Sequence, residues 1–228
     1  LVANLSRGRP HDAWWACAAS ERWLDEPRGK PPKPIWKCRL TADRPHLDGQ
    51  LDEPLWREAE PVNLTGRGQG AALAPASARL AYDSQFLYFA AQCRRVPGGA
   101  YAPSDAPRPR DPDLSAHDRI DLLLDVDRDY ASYYRLTVDH RGWTGEACLE
   151  DRSWDPTWYV AAQDDGQRWT VEAAIPWREL QREAPRGEAT WAAGLQRVVP
   201  AVGFQAWTEP ADLEVVPEGF GLLQFQPH

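Results

Sequence analysis

Arg119-Ile120-Asp121-Leu122-Leu123-Leu124-Asp125 alternates in a way that decides the fold class. Ile120, Leu122 and Leu124 fall on one side of an extended chain, and Asp121, Leu123 and Asp125 on the other. A repeat of two places one face of a strand in a core and leaves the other for polar contacts. Similar patterns lie on either side. Ser77–Tyr82 sets Ala78, Leu80 and Tyr82 on one face, and Leu87–Gln92 follows a hairpin-length connection at Asp83-Ser84-Gln85. Trp169, Val171, Ala173 and Ile175 line one face of Arg168–Ile175. Tyr133–Asp139, Tyr159–Gln163, Thr190–Val199 and Gly221–Gln226 complete the set. Pro54–Glu60 and Pro176–Gln181 read as short helical turns, each with Pro at the start, where it costs least. Many short strands with almost no helix predict an all-β, antiparallel β-sandwich of immunoglobulin-like or jelly-roll type.

The sandwich is expected over residues 35–228, with 1–34 as an N-terminal extension or the tail of a preceding domain. Within that extension His11–Glu26 can form about three helical turns, with Trp15, Ala19 and Trp23 on one face. The Pro-rich stretch 27–34 ends any helix. Residues 97–117 hold five Pro and read as a long surface loop.

Composition narrows the function. A net charge of −8 argues against a nucleic-acid partner, because phosphate binders present a basic face. Apolar runs fall short of the roughly 18 residues a membrane helix needs, so no membrane insertion is expected. Met is absent even at position 1, which suits a fragment whose targeting signal lies elsewhere. Twelve Trp suit both a sandwich core and the stacking of indole on a pyranose. The four Cys lack C-x-x-C spacing; Cys17 and Cys38 flank the Pro-rich stretch and could be bridged, or all four could be buried free thiols. No nucleophile elbow, P-loop, dinucleotide fingerprint or H-E-x-x-H occurs.

The run Leu47-Asp48-Gly49-Gln50-Leu51-Asp52-Glu53-Pro54-Leu55-Trp56 resembles the opening of family 9 carbohydrate-binding modules and their DOMON-like relatives. Collinear matches follow at Ala81-Tyr82-Asp83, Asp118-Arg119-Ile120-Asp121-Leu122, Val138-Asp139, Trp169–Trp177, Trp191 with Arg197, Trp207 and Phe220-Gly221. The resemblance covers about residues 40–226. It implies a secreted, periplasmic or cell-surface accessory domain, attached to further domains and non-catalytic. Such a domain binds a terminal sugar between two Trp and carries structural calcium. At the positions of the two stacking Trp this chain has Ser115 and Glu214, so any glycan binding is expected to be weak or altered.

The polar partners are better kept. Asp121 aligns with the acidic residue of the family's first site strand, and Arg135 lies one strand-face step from the position of its Arg. Across a hairpin the two could meet, the carboxylate accepting from sugar hydroxyls and the guanidinium donating to others. An ordinary cross-strand ion pair is the plainer reading. Tyr133 and, in a loop-rich stretch with four acids, Trp143, Trp154 and Trp158 are the remaining aromatic candidates for a ligand rim, and Arg197 joins them as a candidate contact. Asp125, Asp127 and Asp129 offer alternating carboxylates for calcium, although Tyr130 and Leu136 at positions six and twelve rule out an EF-hand. An Asp-rich turn explains the same residues without a metal. Two other readings remain: a protein-docking sandwich that has lost its sugar site, and a haem-binding relative, with His117 or His140 as an axial ligand in the absence of Met.

Overall fold

The computed structural model describes residues 12–67, 74–103 and 108–227. Among the described residues thirteen strands form one sheet, ten of them in a continuous path that doubles over itself into two layers. The first layer runs β8 (Thr144–Cys148), β7 (Tyr134–Asp139), β6 (Arg119–Asp125), β11 (Thr190–Val199) and β13 (Gly221–Gln226). The second runs β4 (Ala76–Tyr82), β5 (Phe86–Arg94), β10 (Arg168–Pro176) and β9 (Tyr159–Asp164). Short strands β2 (Val62–Asn63), β3 (Thr65–Arg67) and β12 (Gly203–Ala206) pair alongside β4, β12 and β11 respectively. All the strands named in the sequence analysis are present, within one or two residues.

One strand joins the layers. β1 (Ile35–Leu40) pairs with β13 through Ile35–Arg39 and then with β4 through Arg39 and Leu40, in parallel on both sides. The sheet is therefore not wholly antiparallel. Parallel neighbours of β1 are possible because long connections separate it in sequence from β4 and β13.

The period-two faces meet in the core. Ala78, Leu80, Phe89, Ala91, Ile120, Leu122, Leu124, Leu136, Val138, Trp169, Val171 and Ile175 pack together with Trp36, Cys38, Trp191 and Phe225. Each fully buried large apolar side chain contributes roughly 1.5–3 kcal/mol, so this cluster drives the folding of both layers. Trp177, Tyr82, Trp191 and Phe225 contact one another edge to face, with ring centroids 4.9–6.2 Å apart.

The outer faces are partly covered. Helix α2 (Pro54–Glu58) lays Leu55 and Trp56 over Ala81, Tyr88, Ala90 and Ala174. The Asp48-Gly49 turn leading into it is pinned by Glu172, whose carboxylate accepts from Asp48 N (3.1 Å), Gly49 N (2.8 Å) and Trp56 Nε1 (2.7 Å). Gly49 has φ +82 and approaches β9 so closely that a Cβ would lie 2.8 Å from Ala162 C, so only glycine fits. Burial pushes the Glu172 carboxyl up to about 7 against the pull of those three donors. Helix α3 (Trp177–Leu180) is a single turn after β10.

Helix α1 (Ala13–Asp25) begins at Asp12, whose carboxylate accepts from Trp14 N. It lies on the outer face of the first layer, where Cys17 joins Leu123, Tyr130, Tyr133, Ala192 and Phe220. Of the Trp15–Ala19–Trp23 face, Ala19 is buried and the two indoles are half-buried. Cys17, Ala18, Ala19 and Ser20 are buried, because small residues let the helix backbone approach the sheet. Lys33, itself buried, donates to the carbonyls of Glu218 and Phe220 at 2.6 Å, and Arg128 pairs with Glu21 at 3.0 Å.

The four cysteines are free, so the Cys17–Cys38 bridge does not form. Cys17 sits on the outer face and Cys38 between the layers, on opposite sides of the sheet. Cys17, Cys38 and Cys93 are buried and Cys148 is half-buried. A thiol reagent added to the native protein is expected to label Cys148 alone, and all four after denaturation; rapid native labelling of two or more would contradict this packing.

Candidate functional site

β6 has a polar pattern on its outer face, and that face builds the site. Asp121 stands opposite Thr137 on β7 and Gln196 on β11. It has no exposed surface and accepts from three neighbours: Arg135 Nη2 at 2.8 Å, Thr137 Oγ1 at 2.6 Å and Gln196 Nε2 at 3.0 Å. Arg135 is held above its ordinary range by the Asp121 charge, and its side chain keeps 23% of its surface exposed. The carboxylate thus orients donors from the floor and cannot itself reach a ligand. The guanidinium can.

Above this floor lies a cleft lined by Arg135, Thr137, Gly145 and Ala147, with Leu114, Ser115 and Arg119 on one wall and Glu150 and Arg152 among the others. The small residues come from β8, a short edge strand inside the stretch whose composition predicts mostly loop. Gly145 has no Cβ to stand in the cleft; one added there would sit 3.3 Å from Leu114. Arg119 fixes the wall by donating to the carbonyls of Leu114 and Ser115. Ser115, at a stacking position of the resemblance, lines the cleft, whereas Glu214, at the other, is exposed on a separate loop.

The three Trp candidates stand elsewhere. Trp154 packs on Tyr134 with centroids 4.7 Å apart, and Trp158 donates to Glu146 at 2.6 Å; both pack against the main core. Trp143 lies beneath the Arg141 guanidinium at 3.8 Å, and Arg141 is itself paired with Asp139. None of the three lines the cleft. Their indoles cap the open side of the sandwich or serve a neighbouring arginine, because amphipathic rings satisfy both roles at a sheet edge.

Arg197 is also a scaffold residue. Neither it nor Asp118 has exposed surface, and they form two bonds, Nε to Oδ1 at 2.9 Å and Nη2 to Oδ2 at 2.6 Å. Its remaining donors reach Arg94 O, Ala74 O and Gln205 Oε1, so none is left for a ligand. Asp118 also accepts from Trp169 Nε1 and Tyr101 OH. Period-two spacing places Arg197 on the side of β11 that carries the core residues Trp191, Ala193 and Leu195.

The acidic triad does converge: oxygens of Asp125, Asp127 and Asp129 lie within 4.8 Å of one another. Asp125 is buried and caps the turn through Arg128 N and Tyr130 N, and burial pushes its carboxyl up to about 7. Asp129 accepts from Ala131 N and Ser132 N. An all-oxygen set of this kind suits a hard cation such as calcium. His140 is buried with its ring against Tyr101 and His117, the histidine centroids being 5.6 Å apart. Burial holds both imidazoles below their ordinary pKa range.

Two stacked layers joined by a crossing strand define a β-sandwich. The chain has the fold of the family 9 carbohydrate-binding modules. A family 9 module from Caldicellulosiruptor kristjanssonii, solved in complex with cellotriose, superposes with a TM-score of 0.60 over 84% of this chain and 94% of that one, at 16% identity. The glucose complex of a family 9 module from the same organism gives a TM-score of 0.58 over 84% and 96%, also at 16% identity. A candidate carbohydrate-binding protein of Bacteroides uniformis gives 0.63 over 85% and 100%, at 12% identity. No protein-family profile and no curated protein sequence matches the chain.

Removing one half of the inner ion pair should be severe. Arg197→Met leaves Asp118 buried without its cation and is expected to lower unfolding free energy by about 3–5 kcal/mol in urea denaturation. A loss below about 1 kcal/mol would mean that the pair is not structural.

Proposed function

We propose that this chain is a non-catalytic glycan-binding module of a larger extracytoplasmic protein, holding a sugar in the cleft over β7 and β8. The observation that carries this reading is the cluster of Arg135, Thr137 and Gln196 around the buried Asp121 carboxylate. A preoriented guanidinium at the floor of a polar cleft supplies directed hydrogen bonds to sugar hydroxyls at low entropic cost. The cellotriose and glucose complexes of modules with the same fold support it. Hydrolysis is disfavoured by placement. Glu172 and Asp121, the carboxylates one would pair, lie on opposite outer faces and cannot flank one glycosidic bond.

With no aromatic side chain lining the cleft among the described residues, affinity should be modest, since stacking supplies much of the energy of sugar sites. A glycan array followed by titration calorimetry is expected to show saturable binding to one glycan class. Arg135→Lys, which keeps the charge beside Asp121 but loses the planar fork, should weaken it about tenfold without altering the circular dichroism spectrum. A blank array would favour a protein-docking sandwich instead, a reading that the Ser115 and Glu214 replacements independently favour.

We also propose that the Asp125–Asp127–Asp129 triad holds calcium and steadies the β6–β7 turn. Added calcium should raise the melting temperature and a chelator should reverse the shift, while Asp127→Asn should abolish it. A melting temperature indifferent to calcium would leave the triad as a turn stabilised by its own amides.

A further inference from the structure

The second layer carries a polar row on its outer face, apart from the scaffold bonds and from the cleft over β7 and β8. Strand register sets Gln163 of β9, Thr170 of β10, Gln92 of β5, Ser77 of β4 and Asn63 of β2 side by side. Each is flanked in its own strand by residues that pack into the core, so all five side chains point outward. With neighbouring strands about 4.8 Å apart, the row is roughly 19 Å long. The adjacent row of Ala161, Glu172 and Ala90 is small or committed to the Asp48-Gly49 turn.

Most of this row is uncommitted. Asn63 and Gln163 are exposed, and Ser77, Gln92 and Thr170 are half-buried. The side chains of Asn63, Ser77, Gln92 and Gln163 form no hydrogen bond among the described residues. Thr170 Oγ1 donates to Gly49 O at 2.6 Å, which anchors the 49–52 turn from one side while Glu172 holds it from the other. The fixed turn forms a wall above Gln92, Thr170 and Gln163, and together they bound a cleft of about 380 Å³. That is room for a small ligand.

Charge narrows the class of occupant. Arg168 is the one cation of the lining among the described residues, and it pairs with Asp165 at 3.1 Å. Asp52 also lines the cleft and forms no ion pair among the described residues. Carboxylates outnumber guanidinia, so the lining disfavours an anion. Its free groups are amides, each with a donor and an acceptor, and they match a hydroxyl that both gives and takes a hydrogen bond. An extended pyranose chain advances per sugar by nearly the distance between neighbouring strands. Laid across the strands, it meets about one polar side chain of the row per sugar.

We propose that this row is a second saccharide site, which takes a neutral, extended oligosaccharide across β9, β10 and β5 and onward over β4. It is independent of the cleft over β7 and β8, which lies on the opposite outer face. Two sites facing opposite ways let one module engage two glycan chains at once.

The test is nuclear magnetic resonance of the intact nitrogen-15-labelled chain, titrated with cellohexaose, xylohexaose, maltohexaose, hexagalacturonate and glycerol. At least one neutral hexasaccharide should shift the side-chain amide signals of Gln92 and Gln163 saturably, and hexagalacturonate should shift them less. Gln163→Ala, an exposed change that removes no bond of the fold, should weaken the binding read at Gln92 about tenfold. Unmoved Gln92 and Gln163 signals with all three neutral chains would overturn the proposal. If signals of Arg135 and Thr137 shift in the same titrations, the first cleft stands without the second. An equal response to hexagalacturonate or to glycerol would reduce the row to an unselective polar face and overturn the proposal as well.

Discussion

The pair between Asp118 and Arg197 is the constraint on which the two layers depend. Asp118 immediately precedes β6, Arg197 is in β11, and their side chains meet where neither touches water. A buried guanidinium and carboxylate lose several kcal/mol of hydration, and only complete hydrogen bonding offsets that loss. This pair is nearly saturated by Trp169, Tyr101, Gln205 and the carbonyls of Arg94 and Ala74. Those partners belong to β5, β10 and β12 and to the loops between strands, so satisfying one ion pair fixes the relative position of both sheets. Burial works against the Arg197 charge, yet Asp118 raises its pKa above the ordinary value, and the cation persists inside the sandwich.

A second buried carboxylate does different work. Asp121 faces outward from β6, three residues after Asp118, and is covered by its own donors, not by the second layer. It fixes Arg135 at the cleft floor, while Asp118 fixes the scaffold beneath. The outward face of β6 changes along its length: Asp121 serves the cleft, Leu123 packs under α1 and the Phe220 segment, and Asp125 caps the β6–β7 turn. Helix α1 and the 217–220 segment therefore cover the part of the face that the cleft does not use. Glu172 plays the corresponding part on the opposite layer, closing the Asp48-Gly49 turn over β9 and β10.

Much of the fold was legible because period-two patterning is a local property of the chain. Ile120, Leu122 and Leu124, or Trp169, Val171, Ala173 and Ile175, announce a buried face wherever they are placed. The edge strand β8 was not legible, since Thr144-Gly145-Glu146-Ala147-Cys148 has little apolar alternation and owes its extension to pairing with β7. In α1 the helix itself was legible, while the packing of Cys17, Ala18, Ala19 and Ser20 against the sheet depended on the elements beneath. The contact of Asp121 with Arg135 was readable, since the two meet as their spacing suggested. The placement of the indoles was not, because an indole in a loop can cap a core or line a cleft, and only its neighbours decide.

The sequence by itself determined the longer core strands, the outward placement of Asp121 and Arg135, and the alternating acids at Asp125, Asp127 and Asp129. These follow from side-chain periodicity and residue identity, which need no knowledge of distant parts of the chain. Only the tertiary structure decided that Arg197 is spent inside the sandwich, that Cys17 and Cys38 lie on opposite sides of a sheet, and that Arg119 and Arg152 come together at one cleft. Each of these joins residues far apart in sequence. Their partners are selected by the stacking of two sheets and the crossing of β1 between them, and no local pattern carries that information.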